Sequence, residues 1–132
     1  MSQKGHPKRV AGVYLDSTKA VVIRPAPDYE EGDYIIQDKI EAEHHSRRGD
    51  KDAANHAEQS ELLKYYKSVA ALLHVYDELY IFGPGNAQEQ FQNHIREDAQ
   101  FNSTDFTIHS SEQLTEAEMI VNVRKHFEPS QG

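Results

Sequence analysis

The 132-residue chain is long enough for one domain with a single modest core. It contains no cysteine, which excludes a disulfide framework, a cysteine-ligated zinc site and thiol chemistry, and which fits a reducing cytoplasm. Its formal net charge of −8 disfavours general nucleic-acid binding, because such binding depends on lysine and arginine neutralising phosphates.

Three strands are predicted in the first third of the chain. Residues 9–15 and 20–23 are rich in valine and isoleucine, and the polar turn 16–18 between them indicates a hairpin. A third strand is predicted over residues 34–43, where apolar and polar residues alternate imperfectly. Because the connections are short, we expect these three strands to be antiparallel.

Helices and strands alternate in the rest of the chain. An exposed loop is expected over residues 44–57, followed by a helix over 58–75 whose apolar residues recur every three or four positions. Buried and half-buried strands are predicted over 79–82 and 104–110, each followed by a helix.

Two helix starts carry capping signals. Asn86 is followed by Glu89, and Thr115 is followed by Glu118, in the spacing at which two side chains satisfy the first free N–H groups of a helix. We therefore expect the second helix to begin after Asn86 and the third after Thr115.

The predicted order is β-β-β-α-β-α-β-α. Short connections and right-handed crossovers favour a mixed five-stranded α/β sheet of order 3-2-1-4-5 with helices packed on its faces, the ribonuclease-H-like arrangement. We expect one domain over residues 9–127, a flexible basic tail over 1–8 and a disordered tail over 128–132.

Residues 44–51, which we name the basic segment, gather side chains suited to phosphate. Arginines can fork onto phosphates, and histidines can stack on bases or become charged near pH 6. The segment carries five such residues: His44, His45, Arg47, Arg48 and Lys51. The N-terminal tail adds Lys4, Lys8 and Arg9. The alternative is a solvated loop without a ligand; a metal site made with His56 is disfavoured, because no fixed element would organise that spacing.

The motif Gly83-Pro84-Gly85-Asn86 follows the fourth predicted strand and opens a helix. Ligands bind at the carboxyl ends of parallel strands, and free N–H groups there attract anions, so Gly83, Gly85 and Asn86 are predicted as an anion site. The motif is neither GxGxxG nor a P-loop, and a tight turn before a helix is the alternative.

Asp16 is the candidate for metal chemistry. In ribonuclease-H-like nucleases an aspartate on the first strand helps to hold Mg²⁺, and Glu58 or Glu61 could add a second carboxylate here. The fourth strand ends in Phe82-Gly83-Pro84 without an acid, and Asp16-Ser17-Thr18 suits a turn, so the structural role is favoured.

Four tyrosines surround the first helix and fourth strand: Tyr65, Tyr66, Tyr76 and Tyr80. Two of them are interpreted as core residues with hydroxyls at the rim, and the alternative is a platform for stacking bases. Nucleophilic catalysis is not expected, because the chain lacks cysteine and a Gly-x-Ser-x-Gly elbow.

Residues 13–22, Val-Tyr-Leu-Asp-Ser-Thr-Lys-Ala-Val-Val, resemble the opening hairpin of the middle domain of archaeal and eukaryotic peptide-chain release factors and Pelota. Residues 78–85, Glu-Leu-Tyr-Ile-Phe-Gly-Pro-Gly, are similar to its fourth strand and next turn. The Gly-Pro-Gly and the ending Val123-Arg124-Lys125-His126-Phe127 look closer still to small bacterial single-domain proteins described as translational machinery proteins. The resemblance covers about residues 9–127.

The chain departs from this family at one motif. In release factors, the loop between the third strand and the first helix carries a Gly-Gly-Gln that enters the ribosomal peptidyl-transferase centre. Here the equivalent residues 44–55 contain a single glycine, Gly49, and no Gly-Gly-Gln. The resemblance therefore implies a role in translation without peptide release.

Together these observations predict a non-enzymatic, cytoplasmic bacterial protein that binds the ribosome or tRNA. The predicted contacts are the cations of the basic segment, supported by Lys8 and Arg9. We expect no cofactor, no metal and no membrane association, since no apolar run approaches the roughly 18 residues that span a bilayer. A protein-interaction module using the acidic surface (22 Asp and Glu against 14 Lys and Arg) is the main alternative, and a metal-dependent nuclease is the third.

Overall fold

Apolar runs broken by short polar turns place strands and helices in the predicted order. The computed structural model describes residues 9–26, 33–42 and 51–127, with backbone only over 51–60. These residues form β1 (Val10–Leu15), β2 (Lys19–Pro25), β3 (Tyr34–Glu41), α1 (Lys51–Ala71), β4 (Glu78–Gly83), α2 (Ala87–Arg96), a 3-10 turn (Ala99–Phe101), β5 (Asp105–Ser110) and α3 (Glu116–Phe127). The predicted tails 1–8 and 128–132 lie outside the described residues.

The five strands form one mixed sheet of order β3-β2-β1-β4-β5, which confirms the predicted order and α/β class. β1 and β3 each pair antiparallel with β2, whereas β4 pairs parallel with both β1 and β5. The carboxyl ends of β1, β4 and β5 therefore meet at one edge of the sheet, which we name the carboxyl end.

Alternating side chains fill a core on each face of the sheet. Ala11, Val13 and Leu15 of β1 pack beneath α1 and α2, while Tyr14 packs on the opposite face beneath α3. Gly12 lies on the α3 face, where an added Cβ would collide with Val123. The glycine therefore lets α3 approach the sheet closely.

The first helix is displaced from its prediction. It begins at Lys51 instead of Glu58 and ends at Ala71 instead of Val75, so the prediction that residues 51–57 form a loop was wrong. These residues include three alanines, which favour helix without contributing an apolar stripe. No helix within the described ranges is long and apolar enough to cross a membrane.

One of the two predicted helix caps is confirmed. The Thr115 N–H donates to Glu118 Oε1 (2.8 Å) and the Glu118 N–H donates to Thr115 Oγ1 (3.2 Å), which is a capping box. Asn86 makes no side-chain capping bond, so its predicted capping role was wrong. The nearby Gln88 Nε2 instead donates to the Gly85 carbonyl (2.9 Å).

Candidate functional site

The C-terminal third of α1 anchors the helix to the sheet. The Tyr65 hydroxyl donates to the Asp16 carbonyl at the carboxyl end of β1 (2.9 Å). Val69, one turn further on, and Leu73, in the turn that follows α1, are fully buried. Burial first, and then the Asp16 charge, raises the pKa of Tyr65, so its hydroxyl remains protonated and continues to donate.

The N-terminal two thirds of α1 extend away from this anchor. After α1 the chain reaches the amino end of the sheet, where the Asp77 N–H donates to the Arg9 carbonyl (2.7 Å), so the start of α1 points past the carboxyl end. At about 1.5 Å per residue, the stretch from Lys51 to Tyr65 spans about 21 Å along the helix axis. The basic segment is therefore joined to the far end of a long helix.

The attachment of the basic segment on its other side is also described. β3 ends at Glu41, and the Ala42 N–H donates to the Thr18 carbonyl (2.8 Å) beside the Asp16 turn. His44, His45, Arg47 and Arg48 lie outside the described residues, and Lys51 begins α1. Both attachment points thus lie on the carboxyl-end side of the molecule.

Two further cations lie on α1, one on each side of Tyr65 in the sequence. Lys64 and Lys67 are exposed, three residues apart, and therefore share one face of the helix. Within the described chain, neither makes an ion pair. Neither lysine is among the contacts predicted from the sequence, although their spacing on the polar side of the predicted helix was visible there.

Arg9, which was predicted as a supporting contact, does not join this group. Arg9 is exposed at the amino end of β1, and its backbone N–H donates to Asp77 Oδ2 (2.9 Å). Lys8 lies outside the described residues. The structure therefore places Arg9 at the opposite end of the sheet from Tyr65 and the start of α1.

The Asp16 carboxylate accepts the hydrogen bonds of a turn. Its Oδ1 accepts from the Thr18 N–H (2.7 Å), the Thr18 hydroxyl (2.7 Å) and the Lys19 N–H (2.8 Å), while Oδ2 accepts from the Tyr14 hydroxyl (3.3 Å). Burial raises the pKa of the Asp16 carboxyl, but the bonds from Thr18 and Lys19 outweigh it and hold the pKa below its ordinary value. These contacts confirm the turn interpretation of Asp16. Across the described ranges, no His/Cys/Asp/Glu cluster has metal-binding geometry.

Turn geometry also accounts for the Gly83-Pro84-Gly85 motif. A Cβ on Gly83 would collide with the Leu15 carbonyl, so the close approach of two strand ends requires glycine there. Gly85 adopts a φ of 68°, in the left-handed region that glycine occupies at little cost. The anion site at Gly83, Gly85 and Asn86 stays a prediction.

All four clustered tyrosines are buried. Their exposed fractions are 3% for Tyr65, 4% for Tyr66, 8% for Tyr76 and 5% for Tyr80. Bases cannot stack on rings that are already covered, so the interpretation of these residues as a stacking platform was wrong, and they belong to the core.

Solved structures contain the same fold. The chain shares it with parts of two Pelota proteins and of an archaeal translation termination factor. Pelota of Archaeoglobus fulgidus has a TM-score of 0.62 at 13% identity, over 92% of this chain and 32% of that one. The archaeal termination factor has a TM-score of 0.51 at 11% identity, over 86% of this chain and 37% of that one. Pelota of Thermoplasma acidophilum has a TM-score of 0.50 at 16% identity, over 84% of this chain and 30% of that one.

The chain spans about a third of the length of each of these proteins. No protein-family model and no curated protein matches it. At such low identity, the comparisons establish a common fold.

Proposed function

We propose that this protein is a bacterial, cytoplasmic, translation-associated factor that binds the ribosome or tRNA through the basic segment, without catalysing peptide release. The observation that carries the proposal is the geometry of α1. Tyr65 fixes the helix to the carboxyl end of β1, and about 21 Å of helix then separates this anchor from the basic segment. Such a helix can present a short basic segment to a partner's recessed surface.

The shared fold supports the assignment to translation. One similar structure is named a translation termination factor, and this chain corresponds to about a third of it. In the family that the sequence resembles, the Gly-Gly-Gln lies between the third strand and the first helix, and here the basic segment occupies that place. The absence of this tripeptide is the reason for proposing binding without hydrolysis.

Electrostatics support a local contact over a broad one. The chain carries a net charge of −8, so its body as a whole repels a phosphate backbone. The basic segment concentrates positive charge at the start of α1. Lys64 and Lys67 add two exposed cations further along the helix, beyond the acidic residues Asp52, Glu58 and Glu61. Binding through phosphates should weaken as salt rises, and the small number of contacts should keep the slope of that dependence modest.

Co-sedimentation with ribosomes at low and high salt tests the proposal. The wild-type protein should sediment at low salt and be released at high salt, and the triple variant Arg47→Gln, Arg48→Gln, Lys51→Gln should not sediment. Filter binding of tRNA with the same proteins decides between the two partners. A peptidyl-tRNA hydrolysis assay should detect no release by the wild type.

The matched control removes three exposed cations elsewhere: Arg96→Gln, Arg124→Gln and Lys125→Gln. It changes the net charge equally and should bind as the wild type does. Failure of the wild type to bind either ribosomes or tRNA at low salt would sink the proposal, and so would equal losses in the two triple variants.

A further inference from the structure

Among the described residues, no strand pairs with the backbone groups on the outer edge of β5. The Asp105 N–H donates to the Asp77 carbonyl (3.0 Å), and the Ser111 N–H donates to the Gly83 carbonyl (2.8 Å). Because successive residues of a strand point their N–H and C=O groups to opposite sides, odd-numbered residues of β5 face β4. Phe106, Ile108 and Ser110 therefore point theirs outward, where the described sheet ends.

The two edge strands of the sheet differ in the features that discourage pairing with an additional strand. β3 carries Asp38 and Lys39, and its pairing with β2 shifts register at Val22/Ile23, both of which are features that discourage edge pairing. β5 has no lysine and no proline, and its six residues pair with β4 in continuous register. We therefore expect an added strand to pair with β5 in preference to β3.

A groove runs beside this edge on the α3 face of the sheet. α3 lies over β1 to β3, where Val123 packs against Gly12 and Glu116 pairs with Lys39 (2.9 Å), so Thr107 and His109 of β5 stay exposed. The groove has a volume of about 610 Å³. Its apolar lining consists of Leu114, Ala117 and Val121.

The charges along the groove indicate what would occupy it. Glu112 and Glu118 lie where β5 leads into α3, and Lys125 lies near the other end of α3. Glu118 is already engaged by the Thr115 N–H, so Glu112 is the carboxylate that remains for a partner. A second copy of this chain would bring another net charge of −8 and be repelled.

We infer that β5 is a docking edge for an extended segment of another protein, which adds as a sixth strand and places basic side chains near Glu112 and apolar side chains over Val121. Backbone hydrogen bonds to Phe106, Ile108 and Ser110 supply the pairing, and the groove selects the side chains. This surface is separate from the basic segment and does not depend on RNA binding.

Amide hydrogen exchange by NMR tests the pairing on the full-length protein. The probe is an eight-residue peptide of alternating lysine and valine, and its control alternates glutamate and valine. Saturating lysine peptide should slow exchange at Phe106, Ile108 and Ser110 and leave Thr107 and His109, which already bond to β4, unchanged. The glutamate peptide should bind at least about tenfold more weakly.

Variants on β5 provide the matched comparison. Ser110→Pro removes one outward N–H without touching the β4 ladder and should weaken binding about tenfold, whereas Ser110→Ala keeps that N–H and should bind normally. Glu112→Lys should also weaken binding about tenfold, while Glu97→Lys, an equal charge change on α2's exposed end, should not. If Ser110→Pro does not fold, the comparison of Glu112→Lys with Glu97→Lys still tests the inference.

Three results would overturn the inference. One is no binding of the lysine peptide up to about 1 mM. Another is protection that does not alternate along β5 or that falls on β3. The third is a dimer of the free protein in sedimentation equilibrium with the same three amides protected, which would make a second copy the occupant.

Discussion

The two parts of α1 belong to one continuous helix but face different environments. The C-terminal part, from Tyr65 onward, is fixed by buried contacts and by the hydrogen bond to the Asp16 carbonyl. The longer N-terminal part, from Lys51 to Lys64, leads away from that anchor, and Leu63 within it is 52% exposed. The anchored part should therefore determine whether the domain folds, and the extended part should determine what the domain can contact.

Truncation of a buried side chain beside the anchored part of α1 should have the largest effect. Leu73, in the turn that directly follows α1, is fully buried, so Leu73→Ala should lower the free energy of unfolding by about 3 kcal/mol. Leu63→Ala is the matched change in the extended part and should cost less than about 0.5 kcal/mol. Urea unfolding followed by circular dichroism measures both, and equal losses would remove the distinction between the two parts of the helix.

The Asp16 turn beneath the anchor should come next. Asp16→Ala leaves the donors of Thr18 and Lys19 without their acceptor and should cost about 2 kcal/mol at pH 7. Asp16→Asn keeps one acceptor oxygen and should lose less. Urea unfolding again gives the values.

The same residue makes stability depend on pH. The folded-state pKa of Asp16 is lower than its ordinary value of 3.8. The ionised carboxyl therefore stabilises the fold above pH 3.8, and this contribution disappears as the pH falls through the lower, folded-state pKa. The difference in unfolding free energy between wild type and Asp16→Ala should shrink over that range, and a difference that grew on acidification would contradict the assignment.

Loss of the anchoring hydroxyl should have a smaller effect. Tyr65→Phe keeps the ring but leaves the buried Asp16 carbonyl without this donor, so we expect a loss of about 1 kcal/mol. Tyr66→Phe, whose hydroxyl donates to Gln90 Oε1 (3.2 Å) in a partly buried site, should lose less. The reverse order in thermal or urea unfolding would show that Tyr65 is not the anchor.

The exposed lysines should leave stability unchanged. Lys64→Gln with Lys67→Gln should shift the free energy of unfolding by less than about 0.5 kcal/mol. The double variant should still reduce the salt dependence of ribosome binding by about one unit of slope per lysine. An unchanged slope would confine the proposed contact to the basic segment.

Local signals account for the parts of the fold that the sequence predicted. Thr115 and Glu118 satisfy each other within one helical turn, and Asp16 builds its turn with residues two and three positions away. The apolar runs of β1 and β4 reflect strands that are covered on both faces of the sheet. Short connections and right-handed crossovers then restricted the strand order. Such interactions join residues that are close in the sequence and can therefore be predicted from short stretches of it.

The errors arose where backbone geometry or distant residues decide. Asn86 has φ −109° and ψ 2°, outside the extended conformation from which a side chain caps a helix. The start of α1 was missed because alanines extend a helix without leaving an apolar stripe. The bond from Tyr65 to Asp16 joins residues 49 positions apart, so no local pattern could reveal the anchor.

Site-directed cross-linking tests the central claim most directly. A photoreactive benzoylphenylalanine is placed at Gly49 in the basic segment or at Val75, which is 56% exposed beyond the other end of α1. After irradiation with ribosomes and tRNA, the account predicts cross-links to RNA from position 49 and none from position 75. Equal RNA cross-linking from both positions, or cross-links from position 49 to protein alone, would contradict it.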